Sequence, residues 1–365
     1  MRIALIAPTW VPVPPDGYGG TEAVLDSLAR GLVAEGHDVT LFASGDSTCP
    51  VRLRSHFAEA VGIGRPNAAL LEMRHVIAAY AQAQEFDVVH DHTLAGPLYA
   101  AGFFDGPVVT TNHGPFGEGL EEYYLPVSRK VPVIAISRAQ ARHAVGVNVI
   151  GVVHHGVDLA EFPPGDGGGG YACFLGRIAP CKGVHVAAQV ALAAGMRLVI
   201  AGKCTEPAER AYFEERVKPL LGRGVEYVGE ATKKEKLDLL GAATCLLNPI
   251  AWPEPFGMVM LEALACGTPV VATHQGAAPE IVEQGVTGVL ADDHLSLVDA
   301  LRNSTLIDRD RCREAVAQRF SVKRMVAGHL EVYDTVRNRN GKVSGTRGLR
   351  SLVPASVPEA DLQRL

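Results

Sequence analysis

The sequence predicts an α/β protein with two doubly wound, Rossmann-like parallel sheets. Its 365 residues suit about two domains of ordinary size. Short apolar segments alternate with amphipathic helical segments along most of the chain, which is typical of parallel sheets with crossover helices. The alternation is interrupted by a Pro- and Gly-rich stretch at residues 158–170, which favours neither a helix nor a central strand. We therefore expect one domain on each side of this linker.

The N-terminal domain, residues 1–157, is expected to begin with the buried strand RIALIAP. Apolar residues from Val24 to Leu32 then recur at helical spacing, and Gly36 ends that pattern. The segments DVTLFAS, DVVHDH, PVVTTNH and VPVIAIS predict further strands with helices between them. In such a fold the carboxyl ends of neighbouring strands meet at one edge of the sheet, where ligands bind.

The C-terminal domain, residues 171–320, repeats this rhythm without a close repeat of the sequence. Its strand segments are YACFLGR, RLVIAGK, VEYVGE, TCLLNPI and TPVVAT. Residues 321–338 have the apolar spacing of one more amphipathic helix. Residues 339–365 lose this periodicity, and we expect a disordered tail there.

The composition restricts the classes of partner. A formal net charge of −6, from 34 basic and 40 acidic residues, argues against a nucleic-acid-binding surface. No apolar run reaches the roughly 18–20 residues that span a bilayer, so we expect no transmembrane segment and leave peripheral contact with a membrane open. The seven cysteines are scattered without a Cys-x-x-Cys pair, and the N-terminus lacks a signal-peptide pattern. We therefore expect reduced thiols in a cytoplasmic protein.

The segment Trp252–Gly267, WPEPFGMVMLEALACG, carries two acidic side chains in an apolar context. Glu254 stands between two prolines, and Glu262 lies eight residues later inside an apolar helix that is expected to begin near Gly257. The beginning of that helix should lie at the carboxyl edge of the sheet, where its free N–H groups suit a phosphate. The alternative is a solvated surface glutamate, but the apolar neighbours of Glu262 favour a ligand site.

Two further segments supply candidate ligand-binding groups. In FLGRIAPCKG, residues 174–183, Arg177 and Lys182 follow a strand and can neutralise a diphosphate, although the segment is not a P-loop. In PPDGYGGTEAV, residues 14–24, Gly20 permits close approach of the backbone to a ligand, without the Gly-x-Gly-x-x-Gly dinucleotide pattern. The alternative interpretations are solvated surface charges for the first segment and a simple turn for the second.

Histidines recur near the predicted strand ends. They are His90, His92, His113, His154 and His155. Their spacing matches no helix-borne zinc motif, so we expect a polar cleft rather than a metal site. No Gly-x-Ser-x-Gly elbow indicates a serine nucleophile.

Together these motifs resemble the family-4 retaining glycosyltransferases, which have the GT-B fold. The segment EPFGMVMLEALACGTPVVAT carries that family's Glu-x7-Glu motif, GRIAPCKG matches its Gly-Arg…Lys-Gly element, and HGVDLAEFPP matches its entry to the second domain. The opening segment before DVTLFAS looks like that of bacterial members, and the resemblance covers about residues 1–338. It implies two domains facing a cleft, with the acceptor on the N-terminal side and the nucleotide-sugar donor on the C-terminal side. The helix at 321–338 would pack back on the N-terminal domain.

The resemblance also implies roles for individual residues. Glu254 would contact hydroxyls of the donor sugar, Glu262 would hold the ribose, and Pro255, which stands where glycine is commoner, would stiffen the loop. The diphosphate would be bound by the two cations and by backbone amides at Gly20 and at the beginning of the helix. The residues implied for catalysis are Glu254, Arg177, Lys182 and His113. Those implied for donor binding are Gly20, Arg177, Lys182, Phe256, Gly257, Met258, Val259 and Glu262.

The implied reaction is transfer of a sugar, expected to be a hexose, from a nucleotide-diphosphate sugar to an unknown acceptor hydroxyl. The family retains the anomeric configuration and needs no bound metal, so we expect no metal and no cofactor. A same-face attack assisted by the leaving phosphate is the more economical mechanism, because no enzymic nucleophile for a double displacement is evident. Two alternatives stay open: a nucleotide-sugar epimerase on the same fold, and a non-catalytic nucleotide-sugar-binding protein. The motifs do not identify the base, the sugar or the acceptor.

Overall fold

The computed structural model describes residues 1–343 apart from Tyr18, Ile63 and Glu118. The N-terminal domain is built on a seven-stranded parallel sheet in the strand order β3-β2-β1-β4-β5-β6-β7. Its strands are β1 (Arg2–Ile6), β2 (Asp38–Phe42), β3 (Arg52–Arg54), β4 (Val88–Asp91), β5 (Val108–Thr111), β6 (Val133–Ala135) and β7 (Val149–Val152). Its helices are α1 (Gly20–Ala34), α2 (Ala68–Tyr80), α3 (Ala95–Phe103), α4 (Leu120–Val127) and α5 (Arg138–His143). The strand order reverses direction beside β1, which is the doubly wound arrangement.

The C-terminal domain has a six-stranded parallel sheet in the order β10-β9-β8-β11-β12-β13. Its strands are β8 (Tyr171–Leu175), β9 (Arg197–Ala201), β10 (Val225–Tyr227), β11 (Cys245–Asn248), β12 (Val270–Ala272) and β13 (Gly288–Leu290). Its helices are α6 (Val184–Ala194), α7 (Pro207–Tyr212), α8 (Lys233–Ala242), α9 (Met258–Ala265), α10 (Ala278–Ile281), α11 (His294–Asn303) and α12 (Arg309–Arg319). The predicted fold class, two doubly wound parallel-sheet domains, is confirmed.

Strands in the middle of each sheet are buried on both faces, and these are the strands that the apolar runs predict. The sequence does not predict β3, β7 and β13. Each lies at the edge of its sheet and contains only three or four residues. Such short segments carry too little apolar periodicity to be distinguished from loops.

Hydrogen bonds attach the predicted Gly-rich linker to the C-terminal domain. Three of its backbone N–H groups donate to carbonyls of that domain: Gly165 to Cys266 at 2.9 Å, Gly167 to Gly241 at 3.0 Å and Gly169 to Ala242 at 2.8 Å. The guanidinium of Arg309 also donates to the Gly165 carbonyl at 3.0 Å. A Cβ atom at position 165 would lie 2.0 Å from the Gly241 carbonyl oxygen, so this contact requires glycine.

The two chain crossings between the domains lie side by side. The Val157 N–H donates to the Phe320 carbonyl at 2.9 Å, and Val157 forms a parallel bridge with Ser321. The helix α13 (Val322–Val343) follows and packs against α1 and the N-terminal sheet. It extends past residue 338, where the sequence predicts its end, and the rest of the predicted disordered tail lies outside the described residues. Among the described helices, none is both long and apolar enough to cross a bilayer.

We predict that Gly31→Ala destabilises the protein, although alanine normally favours a helix. A Cβ atom at Gly31 would lie 2.6 Å from Val326 Cγ2 and 2.7 Å from Val322 Cγ1, so α1 and α13 would have to separate. Overpacking of this kind typically costs about 1–3 kcal/mol. The matched control is Gly102→Ala in α3, where no atom lies within 4 Å of the new Cβ and a gain of roughly 0.5–1 kcal/mol is expected. Urea denaturation measures both variants, and equal stabilisation of the two would contradict this packing.

Candidate active site

The helix α9 begins at the carboxyl edge of the C-terminal sheet. The chain leaves β11 at Asn248 and enters α9 through Gly257, which has a φ of 95°. A Cβ atom at Gly257 would lie 2.4 Å from Met260 Cε, so glycine permits this sharp entry. Helix geometry leaves the N–H groups of the first turn without partners inside the helix. Met258 and Val259 of this turn line a cavity between the domains, while the N–H of Met260 donates to the Gly257 carbonyl at 3.0 Å.

Two adjoining cavities lie at the beginning of α9. The central cavity has a volume of about 310 Å³ and the side cavity one of about 210 Å³, and Gly20, Gly176 and Met258 contribute to the walls of both. The predicted site residues in the wall of the central cavity are Gly20, His113, Arg177, Lys182, Glu254, Phe256, Gly257, Met258 and Val259. Glu262 lines the side cavity. The structure thus brings every predicted site residue to this pair of cavities.

Glu254 accepts hydrogen bonds from Lys182 and from Trp252, and Trp252 is not among the predicted site residues. The Lys182 ammonium and the Trp252 indole N–H both donate to Oε2 of Glu254, the indole at 2.8 Å. The ammonium also lies 4.9 Å from the Trp252 ring centroid, within the range of a cation–π interaction. The side chains of Lys182 and Glu254 are 20% and 13% exposed, so water screens their attraction less than at an open surface.

The backbone around Glu254 is fixed as well. Its carbonyl accepts the Ala277 N–H at 2.9 Å, and a Cβ atom at Gly276 would lie 2.2 Å from that same carbonyl oxygen. Pro255 is buried. A proline at this position, where the family commonly has glycine, is therefore compatible with a loop that neighbouring backbone holds in place.

The buried carboxylate of Glu209 orients Arg177. Glu209, in α7, is 4% exposed, and its Oε1 accepts a hydrogen bond from Arg177 at 3.4 Å. The other oxygen of Glu209 accepts the N–H groups of Thr205 and Glu206 at 2.9 and 3.1 Å. Because a guanidinium has five N–H donors, Arg177 keeps donors for a ligand in the central cavity.

Glu262 pairs with Lys236 in the wall of the side cavity. The ammonium of Lys236, in α8, lies 2.6 Å from Oε1 of Glu262, whose side chain is 13% exposed. Lys236 is not among the residues predicted from the sequence, because α8 is a polar helix in which one lysine among several carries no distinguishing signal.

A chain of histidines extends from the central cavity into the N-terminal domain. His113 and His155 line the cavity with stacked rings whose centroids are 5.3 Å apart. Nε2 of His113 lies 2.9 Å from Nδ1 of His92, and the ring of His92 lies 3.9 Å from that of His90. Nδ1 of His90 reaches the hydroxyl of Tyr333 in α13 at 2.7 Å.

Burial lowers the pKa of each of these histidines. The pKa of His113 falls to about 3, and those of His90, His92 and His155 fall well below the usual value, with neighbouring imidazoles adding to the effect of burial. At neutral pH the His113 imidazole is therefore uncharged and a weak base. Within the described part of the chain, no group of three or more His, Cys, Asp or Glu side chains is arranged to hold a metal ion.

Glu280, in α10, links the two domains. Its carboxylate accepts the N–H groups of Arg138 and Ala139, at the beginning of α5, at 2.9 and 2.7 Å, and lies 2.8 Å from Nε2 of His154. Burial raises the pKa of Glu280, but the hydrogen bonds from His154 and the two N–H groups outweigh it and lower the pKa overall. Glu280 is therefore a carboxylate at neutral pH. Glu280 is not among the residues predicted from the sequence.

Comparison with known proteins agrees with this architecture. The model described as Glycosyltransferase Family 4 matches residues 18–161, and the model described as Glycosyl transferases group 1 matches residues 161–318. Alpha-maltose-1-phosphate synthase of Mycolicibacterium smegmatis is 30% identical over 92% of this chain and 100% of its own. Phosphatidyl-myo-inositol mannosyltransferase of Mycobacterium leprae is 27% identical over 94% of this chain and 99% of its own. The crystal structure of AviGT4, a glycosyltransferase involved in avilamycin A biosynthesis, is 26% identical, covers 92% of this chain and 98% of its own, and has a TM-score of 0.69.

Two parallel-sheet domains with cavities between them at the sheet edges define a glycosyltransferase of the GT-B class. The chain belongs to glycosyltransferase family 4. The resemblance drawn from the motifs is confirmed, and so is the expected enzyme class, a hexosyltransferase.

We predict that the contribution of the buried histidines to stability falls as the pH is lowered below about 6.5. A histidine that stays neutral in the folded protein takes up a proton in the unfolded chain, so its contribution is present above the unfolded pKa and is lost as the pH falls toward the folded pKa. For His113, with a folded pKa of about 3, this loss is about 1.4 kcal/mol per pH unit.

The variant His113→Asn should reduce the pH slope of the free energy of unfolding by about that amount between roughly pH 6.5 and pH 5, measured by urea denaturation. The matched control, His294→Asn at an exposed position in α11, verifies that replacing a histidine by asparagine leaves the protein folded at neutral pH. An unaltered slope in His113→Asn would contradict a neutral, buried imidazole.

Proposed function

We propose that this enzyme transfers a hexose from a nucleotide-diphosphate sugar to an acceptor hydroxyl, with retention of the anomeric configuration and without a bound metal. One observation supports this most: the beginning of α9 meets Arg177 and Lys182 in the central cavity, with Glu254 on the same wall and Glu262 in the adjoining side cavity. Cations and free helix N–H groups at one place suit a diphosphate. Carboxylates beside them suit the hydroxyls of the sugar and the ribose.

The donor would extend across both cavities. Its diphosphate would lie in the central cavity against Arg177 and the first turn of α9. Its ribose would reach Glu262 in the side cavity, where Gly20 and Gly176 let the backbone approach closely. The sugar would lie between Glu254 and His113.

The contacts of Glu254 suggest how the donor enters. The ammonium of Lys182 pairs with Glu254 and lies in the same cavity as Arg177, so an arriving diphosphate would compete for it. Glu254 would keep its hydrogen bond from Trp252 when Lys182 turns toward the phosphate. The carboxylate would thus stay oriented toward the sugar hydroxyls.

The proposed chemistry is a same-face substitution. The bond between the anomeric carbon and the diphosphate oxygen breaks, and its electron pair stays on the diphosphate. The acceptor oxygen bonds to the same face of the anomeric carbon, and its proton passes to the leaving phosphate oxygen. Arg177, Lys182 and the N–H groups of α9 stabilise the charge that develops on the leaving group. The neutral imidazole of His113 positions the sugar by hydrogen bonding, because a group with a pKa of about 3 is a poor base at neutral pH.

The names of two relatives mention an inositol lipid and a sugar phosphate, and those compounds are attributed to the relatives alone. For this chain the proposal is limited to an acceptor that carries a hydroxyl group. Cytoplasmic location is part of the proposal and is supported by the seven unpaired cysteines. Peripheral contact with a membrane stays a prediction.

We predict that Lys182→Ala and Glu262→Ala each lower turnover by at least about 100-fold, because each removes a group that binds the donor or its leaving phosphate. Release of nucleoside diphosphate from a panel of nucleotide sugars measures turnover, and thermal unfolding verifies that the variants fold. The matched control is Lys234→Ala, which removes an exposed ion pair with Asp238 in α8 and should leave turnover unchanged. Wild-type turnover in both site variants would contradict the site. A free epimerised sugar as product would instead identify an epimerase.

We also predict that activity persists in excess chelator, because Arg177, Lys182 and the N–H groups of α9 supply the positive charge that the leaving diphosphate needs. The measurement compares turnover of the chelator-treated enzyme with and without added magnesium or manganese. Complete loss of turnover, restored by either ion, would overturn the metal-independent mechanism.

A further inference from the structure

A third cavity, which we call the outer cavity, adjoins the central cavity and shares Trp252, Glu254 and Pro255 with it. Its volume is about 280 Å³, near the lower end of the range for ligand pockets. The facing wall comes from the N-terminal domain, from residues 115–117 and from α5. A molecule in the outer cavity would therefore touch the Glu254 loop from the side of the N-terminal domain.

The wall of the outer cavity is mostly apolar, with Pro115, Phe116, Trp252 and the prolines that flank Glu254. The side chain of Gln140 also lines it but is occupied, because its amide N–H groups donate to the carbonyls of Asn112 and Gly114 and its oxygen accepts the Ile136 N–H. None of the described lining residues is lysine or arginine. Its ionisable lining residues are Glu254, whose carboxylate pairs with Lys182, and His143.

A second carboxylate lies against the same wall. Glu280 accepts the N–H groups of Arg138 and Ala139, and Ala139 lines the outer cavity. These backbone donors are therefore already taken by an anion from the opposite domain. The central cavity differs, because Arg177 and Lys182 line it.

We infer that the outer cavity receives the acceptor and that the acceptor is an uncharged compound with an apolar or aromatic face, such as a neutral glycoside. This inference rests on the proposed transferase function. A phosphate or carboxylate in the outer cavity would lie beside the Glu254 carboxylate without a lysine or arginine among the described lining residues to pair with, which is unfavourable in a site partly shielded from water. An apolar face would instead cover the ring of Trp252, and a hydroxyl at the other end would point toward Glu254 and the donor.

The chain contains two tryptophans, Trp10 and Trp252, so replacing Trp10 leaves Trp252 as its single tryptophan for a fluorescence titration. In Trp10→Phe the fluorescence reports on Trp252, at the wall of the outer cavity. We would titrate this protein with phenyl and methyl glycosides of glucose, mannose and galactose, and with the 6-phosphates of the same sugars, with and without nucleoside diphosphate. A phenyl glycoside should change the fluorescence and bind at least about tenfold more tightly than the matching 6-phosphate.

A pair of variants in α5 ties the binding to the outer cavity. Ala139→Leu places a larger side chain into it and should abolish the response to phenyl glycosides, while binding of nucleoside diphosphate and hydrolysis of the donor by water are retained. The matched control is Ala141→Leu, on the same helix but outside the lining, which should bind as the parent does. Thermal unfolding verifies that both variants fold.

The inference is overturned if sugar 6-phosphates bind as tightly as the phenyl glycosides, if no neutral glycoside changes the fluorescence at millimolar concentration, or if Ala139→Leu binds like the control. A different outcome would contradict the proposed function, namely that the enzyme neither hydrolyses nor transfers sugar from any nucleotide sugar tested. Donor hydrolysis with a failed glycoside titration therefore rejects the acceptor class alone.

Discussion

The site depends on the sharp entry of the chain into α9. Gly257 adopts a positive φ, which turns the chain from an extended loop directly into the helix at the edge of the sheet. The first turn of α9 is thereby placed in the wall of the central cavity, while Glu254 and Glu262 follow from the same segment on either side of that turn. One local backbone conformation thus fixes an anion-binding helix end and two carboxylates relative to each other.

Hydrogen bonds to three carboxylates complete this arrangement. Glu209 orients Arg177, Glu254 holds Lys182, and Glu280 joins α10 to the beginning of α5 across the domains. The cations thus lie in the cavity that we assign to the diphosphate, each hydrogen-bonded to a carboxylate, while Glu280 contacts Ala139 in the wall of the cavity that we assign to the acceptor. α13 packs on α1 and contacts the histidine chain through Tyr333, so the last described helix supports the N-terminal wall of the cleft.

The parts of this structure that depend on local pattern could be predicted from the sequence. Central strands appear as apolar runs because both of their faces are buried. Glu254 and Glu262 can be recognised as candidate site residues because they are two acidic residues, eight positions apart, in an apolar segment. The parts that depend on distant partners could not be predicted. Glu280 and Arg138 are 142 positions apart in the chain, and Trp252 becomes a site residue only through its contacts with Glu254 and Lys182. The sequence likewise predicts a linker at residues 158–170 but not its contacts, which are hydrogen bonds to the carbonyls of Gly241, Ala242 and Cys266.

The central claim is that a nucleoside diphosphate binds between the two domains at the beginning of α9. Thermal unfolding of the wild-type protein with UDP, GDP, ADP and dTDP tests it most directly, because a ligand that binds only the folded state stabilises it by RT ln(1 + [L]/Kd). The account predicts a concentration-dependent rise in Tm with a clear preference for one of the four bases. No rise with any of them at millimolar concentration would contradict it.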